Sequence, residues 1–202
     1  MFSFKRKDCL YYKSAHGVIC EPITIESLSY DEEFKNGIVS LNDSSGEIGC
    51  VQYCMIEKDG KKTLKFEGLA SGVEGKGVGT KLILTLVQLS KEMGCHGCLT
   101  AQASPFILRD KFDNNINRPL SNMEFYYKLG FHADDKERDK RIKEFINRGE
   151  KIPLGINTFA DISLSAEAAQ RLLTRNMQLE NAYQKQQGEQ FQKVMSQKIV
   201  FR

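Results

Sequence analysis

Ser71-Gly-Val-Glu-Gly-Lys-Gly-Val-Gly79 is the stretch on which the fold turns. Before it, Thr63 to Ala70 reads as a strand. After it, Val78, Leu82, Leu86, Leu89 and Met93 recur at spacings of four and three, which makes one helical stripe. Lys91 in the last turn and Gly94 just beyond it are helix-stop signals. Cys98 to Ala103 then reads as a buried strand bounded by Ser104-Pro105. Strand, glycine turn, helix and strand together form a crossover onto a sheet. A glycine turn in this place aims backbone N–H groups and the positive end of the helix dipole at one spot, where a phosphate can sit. Two phosphate loops are excluded. Gly79-Thr80-Lys81 has the wrong order for the nucleoside-triphosphate loop, and Gly75, Gly77 and Gly79 follow G-x-G-x-G rather than G-x-G-x-x-G. A turn with a purely structural purpose is the alternative.

Upstream, Ile38 to Leu41, the turn-forming Asn42 to Gly46 and Ile48 to Ile56 give strand, loop, strand. Lys58-Asp59-Gly60-Lys61 supplies an Asp-Gly hairpin leading into Thr63. Three antiparallel strands in series are expected. Residues 1 to 36 show no sustained period, and at most a short strand is expected at Ile23 to Leu28. Downstream, Leu120 to Leu129 reads as a short helix closed by a left-handed Gly130. Asp134 to Arg148 reads as an exposed helix with Ile142, Phe145 and Ile146 on its apolar face, and Ile156 to Leu164 as a last strand. From Ser165 a long helix is expected, capped by the serine and interrupted at Gly188.

The turn and a second segment together carry a resemblance. Glu74-Gly75-Lys76-Gly77-Val78-Gly79-Thr80 resembles the acyl-CoA pyrophosphate loop of the GNAT (GCN5-related N-acetyltransferase) superfamily, whose signature is Arg/Gln-x-x-Gly-x-Gly/Ala. Phe125-Tyr-Tyr-Lys-Leu-Gly-Phe131 resembles that family's Tyr-x-x-x-Gly-Phe. Both occur in the family's order, with the helix and strand between them, over roughly Ile38 to Phe131.

The resemblance implies a mixed α/β (α+β) fold, with a mostly antiparallel central sheet flanked by helices and a long C-terminal helical extension. It divides the chain into an acetyltransferase domain, residues 1–164 with core motifs in 38–131, and an extension, residues 165–202. It implies transfer of an acetyl group from acetyl-CoA, a cosubstrate used without a metal, to a primary amine by direct attack. The acceptor is a small molecule or a protein. By position, the backbone from Glu74 through Gly75, Lys76, Gly77, Val78 and Gly79 to Thr80 would bind pyrophosphate, while Leu69, Ala70 and Ser71 would pair with the pantetheine arm. Tyr126 matches the tyrosine that protonates the departing thiolate. Tyr127 stands one residue too close to Gly130. Glu74 occupies a place where the family has Arg or Gln, and Lys76 and Lys81 are placed to offset its charge. For the general base, Glu67 is the candidate, two residues before Leu69, with His96 and His132 as alternatives.

Composition is consistent with this reading. The chain has 202 residues, 41% of them apolar, enough for one substantial core. It has no 18-residue apolar run and starts with the charged Met-Phe-Ser-Phe-Lys-Arg-Lys, so a cytoplasmic protein making no membrane contact is expected. Residues 165–202 hold six Lys/Arg and three Glu, leaving 23 of 29 basic and 23 of 26 acidic residues in the body. A neutral body lacks the clustered positive charge that nucleic-acid binding needs. The spacings Cys50-x3-Cys54 and Cys95-x2-Cys98 suit four soft zinc ligands, but both pairs lie in or beside expected strands and read as small buried hydrophobes, with no metal. Two rival readings stand. One is a catalytically silent acyl-CoA-binding module. The other is an interaction protein whose C-terminal helix docks on a partner or on a second copy.

Overall fold

The computed structural model describes all residues except 1–2, 32–35, 59, 73–74, 104–121, 154–155, 157–159 and 201–202. Its strands are β1 (Phe4–Ser14), β2 (Gly17–Asp31), β3 (Asn36–Asp43), β4 (Gly46–Lys58), β5 (Lys61–Ser71), β6 (Leu99–Ala103), β7 (His132–Ala133) and β8 (Ala160–Leu164). The helices are α1 (Val78–Glu92), α2 (Asn122–Lys128), α3 (Lys136–Arg148) and α4 (Ala166–Val200). Among the described residues the ladders run in the order β1-β2-β3-β4-β5-β6-β8-β7. The β1–β2, β2–β3, β6–β8 and β7–β8 pairs are antiparallel, and β5–β6 is parallel. This is the mixed, mostly antiparallel architecture expected, with the crossover at β5-α1-β6 and a long C-terminal helix.

The chain packs as two compact units. The first comprises Met1–Gln52, Gly68–Thr85 and Arg171–Arg202. In it, β1 and β2 form a long hairpin in continuous register from Phe4↔Ser27 to Ser14↔Gly17, where at most a short strand was expected. The alternation that would announce these strands is missing because most β1 side chains are only half-buried on either face. Cross-strand polar pairs hold the hairpin instead: the Tyr12 hydroxyl donates to Glu21 at 2.6 Å, and Lys5 pairs with Glu26. At the tip, Gly17 takes φ +122°, and the Ser14 hydroxyl donates to its carbonyl at 3.0 Å.

Leu10, Ile23, Ile25, Val39, Leu41, Ile48 and Val51 are the buried apolar side chains of this unit's strands, and Val78 and Leu82 at the start of α1 are buried with them. Tyr11, which alternation places on the other face of β1, packs its ring 5.8 Å from Tyr183 of α4. The Val18 amide donates to Gln186 at 3.1 Å. α4 continues through Gly188 without the expected break. One helical glycine costs about 1 kcal/mol relative to alanine, too little to stop a helix of this length.

The second unit comprises Tyr53–Glu67 and Leu86–Gln170. Leu64 and Phe66 of β5, Leu99 and Ala101 of β6, and Ile162 and Leu164 of β8 are buried side by side. Met123, Tyr126 and Leu129 of α2, Phe131, Ile142 of α3, and Ala168 and Ala169 at the start of α4 complete the core. Asp135 caps α3 by accepting from the Arg138 amide at 2.7 Å. Ser165 caps α4 as expected, its hydroxyl accepting from the Ala168 amide at 3.2 Å.

Candidate functional site

The parallel β5–β6 ladder ends at Phe66↔Ala101, whereas β5 runs on to Ser71. Just past that last pair, Gly68 takes φ +59° and redirects the strand. Leu69 and Ala70 follow it half-buried, and Ser71 is exposed. The Gly72 amide then donates to the Ile48 carbonyl at 2.9 Å, which fixes where the turn leaves the sheet. Gly75 and Gly77 both sit at φ +78°. A Cβ would meet nothing at Gly75 and only ordinary contacts at Gly77, so conformation rather than space requires glycine at both. The Lys81 amide donates to the Gly77 carbonyl at 2.9 Å, making Gly77 the helix cap. The amides of Val78, Gly79 and Thr80 therefore belong to the first turn, where N–H groups have no intrahelical partner. No acidic residue lies in that turn. Such a donor set, at the positive end of α1, suits a phosphate. Glu74 lies outside the described residues.

Gly49 is a member of this region that the sequence did not announce. A Cβ there would lie 2.7 Å from Val78 Cγ1 and 2.8 Å from the Ala70 carbonyl oxygen, so β4, β5 and the start of α1 close on one another over a bare backbone.

Both lysines of the turn region face carboxylates of the hairpin. Lys76 Nζ lies 2.9 and 3.0 Å from the two oxygens of Glu21. Hydrogen bonds from Tyr12 and then from Lys76 hold the Glu21 carboxyl below its ordinary value. Lys81 Nζ lies 2.9 Å from Asp8 Oδ1. The Lys76 side chain is 41% exposed and that of Lys81 10%. The first is open to a ligand, and the second is built into the structure.

In the second unit, the segment Tyr-x-x-x-Gly-Phe forms the end of α2. Gly130 takes φ +94°, its amide donates to the Tyr127 carbonyl at 3.0 Å, and the Phe131 amide donates to the Tyr126 carbonyl at 3.0 Å. This is a Schellman closure, and its accompanying apolar contact is Tyr126 with Phe131, ring centroids 5.4 Å apart. Phe125 and Phe66 lie 5.2 and 6.0 Å from the same ring. Burial alone pushes the Tyr126 phenol up to about 12, and among the described residues its hydroxyl has no hydrogen-bond partner. Among the described residues the surroundings of Tyr126 are aromatic rings, and burial keeps its phenol neutral.

Tyr127 is engaged elsewhere. Its hydroxyl donates to Asp139 Oδ1 at 2.7 Å and accepts from the Ala133 amide at 3.0 Å. Glu67 is exposed and paired with Lys65 at 2.6 Å. Strand alternation puts it on the face of β5 opposite Phe66, so it does not join the ring cluster of Tyr126. His132 lies 3.5 Å from Asp139, and His96 is exposed at φ +56°. The six cysteines are free thiols, and among the described residues no group of three His, Cys, Asp or Glu is placed to hold a metal.

No protein-family model matches the chain, and no curated protein matches it. Solved structures do. A transcriptional regulator from Bacillus halodurans is 25% identical over 53% of this chain and 65% of its own, with a TM-score of 0.38. A GNAT-family acetyltransferase from Staphylococcus aureus is 14% identical over 63% and 66%, with a TM-score of 0.39. An aminoglycoside 6′-N-acetyltransferase, solved with coenzyme A, is 15% identical over 65% and 73%, also at 0.39. Many of the matching structures are GNAT-family acetyltransferases. The chain spans less than two thirds of the length of the first two. Among the described residues no helix is long and apolar enough to cross a membrane.

Proposed function

We propose that the protein is a cytoplasmic acyl-CoA-dependent N-acetyltransferase that transfers an acetyl group to a primary amine. The observation that carries this is the glycine turn: two left-handed glycines, Gly75 and Gly77, the second of them the helix cap, bring the first-turn amides of α1 to the end of a strand that outruns its parallel neighbour. That donor set fits a pyrophosphate, which the amides from Gly75 to Thr80 would hold, with Glu74 as the first residue of the same loop. The residues of β5 beyond the end of the ladder, Leu69, Ala70 and Ser71, would pair with the amides of the pantetheine arm.

Acetyl-CoA supplies an activated acyl group and a thiolate leaving group. Tyr126 contributes the proton that the sulfur takes up, and its raised pKa keeps that proton in place at neutral pH. Glu67 is the residue assigned to relieve the acceptor ammonium of its proton before attack, with His132 and His96 as the alternatives.

A second reading is acyl-CoA binding without transfer, motivated by Glu74, a carboxylate at the place where the resembled family has Arg or Gln. A thiol-release assay with acetyl-CoA against polyamines, peptide N-termini, lysine peptides and aminoglycosides separates the two. Turnover of at least one amine, lost in Tyr126→Phe, supports transfer. Saturable acetyl-CoA binding with no amine turned over supports the second reading.

A further inference from the structure

The proposed pyrophosphate turn carries one accessible cation, Lys76, and the fold already supplies it with an anion. Glu21 on β2 gives Lys76 both of its carboxylate oxygens, at 2.9 and 3.0 Å. Tyr12, on β1, hydrogen-bonds the same carboxylate at 2.6 Å and orients it. The main chain of the hairpin is close as well: a Cβ on Gly77 would lie 4.0 Å from the Tyr11 carbonyl oxygen and from Tyr12 Cβ. In the neighbouring Lys81–Asp8 pair the lysine is only 10% exposed, against 28% for Asp8, so that ammonium group belongs to the fold. The Lys76–Glu21 pair is different, with 41% and 31% of the two side chains exposed. Exposed pairs of this kind are weakly held and exchange partners readily. A diphosphate seated on the turn amides and Glu21 would therefore compete for the same ammonium group.

We infer that Glu21, oriented by Tyr12, sets the affinity of the turn for acyl-CoA by acting as an internal anion that the ligand's pyrophosphate must displace from Lys76. The inference rests on the pyrophosphate reading of the turn. Glu21 is an affinity-setting residue and has no part in the chemistry of transfer. Its removal frees a cation, so affinity for phosphate-bearing ligands rises while affinity for pantetheine, which lacks the pyrophosphate, stays as it was.

Calorimetric titration of coenzyme A, and of pantetheine as the phosphate-free probe, tests this on the full chain. Glu21→Gln is expected to bind coenzyme A on the order of threefold more tightly at low salt, with the gain fading as screening rises. Tyr12→Phe, which keeps the carboxylate but loosens it, is expected to give a smaller gain in the same direction. It carries the test alone should Glu21→Gln fail to fold. Adding Lys76→Ala to Glu21→Gln is expected to cancel the gain. Coenzyme A binding to the wild type with no tightening in either variant overturns the inference and leaves the acyl-CoA reading intact. Tightening that persists without Lys76, or that appears equally with pantetheine, also overturns it. Absence of coenzyme A binding in every variant overturns both the inference and the reading on which it rests.

Discussion

The Phe131 amide donates to the Tyr126 carbonyl, and the two rings meet 5.4 Å apart, so the same pair of residues closes α2 through its backbone and its side chains. That relationship explains the spacing of Tyr-x-x-x-Gly-Phe. In a Schellman closure the residue after the left-handed glycine reaches back five positions, and an apolar contact between those two side chains commonly accompanies it. Only Tyr126 stands at that distance from Phe131. Tyr127, one residue later, is turned toward Asp139.

Tyr126→Phe keeps the ring in its cluster and removes only the proton. Acyl-CoA binding should be nearly unchanged while turnover falls about 10²- to 10⁴-fold. Tyr127→Phe should change turnover much less. Steady-state kinetics beside direct titration read both quantities. Full turnover in both variants would remove leaving-group protonation by this helix, and loss in Tyr127→Phe alone would shift the register by one.

The raised pKa of Tyr126 has a consequence at alkaline pH. Its folded value of about 12 exceeds the ordinary 10.0, so the phenol keeps its proton in the folded protein after an unfolded chain would have lost it. An alkaline loss of turnover due to this group should therefore fall near pH 12 rather than near 10. The same shift makes the folded state lose stability from pH 10 upward, and Tyr126→Phe should flatten that part of the curve. A limb near 10 that disappears in Tyr126→Phe would contradict the burial of this hydroxyl.

Asp139 behaves in the opposite sense. Burial works to raise its pKa, but hydrogen bonds from Lys143 and Tyr127 overcome that and leave it below the ordinary 3.8. Its contribution to stability is present above that value and is lost as pH falls through the folded one. Asp139→Asn should be less stable at neutral pH and show a shallower loss below about pH 4, measured by denaturant midpoints across pH. Tyr127→Phe should cost about 1 kcal/mol at neutral pH, the worth of one hydrogen bond, with little effect on chemistry. Equal acid profiles for wild type and Asp139→Asn would show that the carboxylate is not held by these partners.

Gly49→Ala places a methyl group where Val78 and the Ala70 carbonyl already lie, and a backbone oxygen cannot rotate away. Overpacking of this kind typically costs about 1–3 kcal/mol. A denaturation midpoint unchanged from wild type would mean that β4, β5 and α1 do not close over this residue.

The strand-turn-helix at residues 63–93 was legible because glycine spacing and a helical stripe are local signals that tertiary context seldom overrides. The end of α2 was legible for the same reason. The β1–β2 hairpin was not, because its side chains are half-buried on both faces and Tyr12, Glu21, Lys5 and Glu26 stabilise it across strands. The partners of Lys76 and Lys81 were hidden with it, since Glu21 and Asp8 come near the turn only once that hairpin forms. Gly49 carries no positive φ and no motif, and only the approach of three elements reveals its purpose. Gly188, expected to break α4, does not: the helix continues through it, and a Cβ there would meet nothing.

The central claim, that the glycine turn holds the pyrophosphate of acyl-CoA, is tested most directly by thermal unfolding with and without acetyl-CoA. Three proteins are compared: wild type, Gly77→Asp and Gly77→Asn. The two substitutions share shape and backbone strain at φ +78° and differ in charge. A ligand bound only by the folded state stabilises it by about 2.7 kcal/mol at a hundred times its Kd. The account predicts a clear rise in Tm for wild type, a reduced rise for Gly77→Asn, and almost none for Gly77→Asp, whose carboxylate would face the phosphates. An equal rise in wild type and Gly77→Asp, or no rise in wild type at millimolar acetyl-CoA, would contradict it.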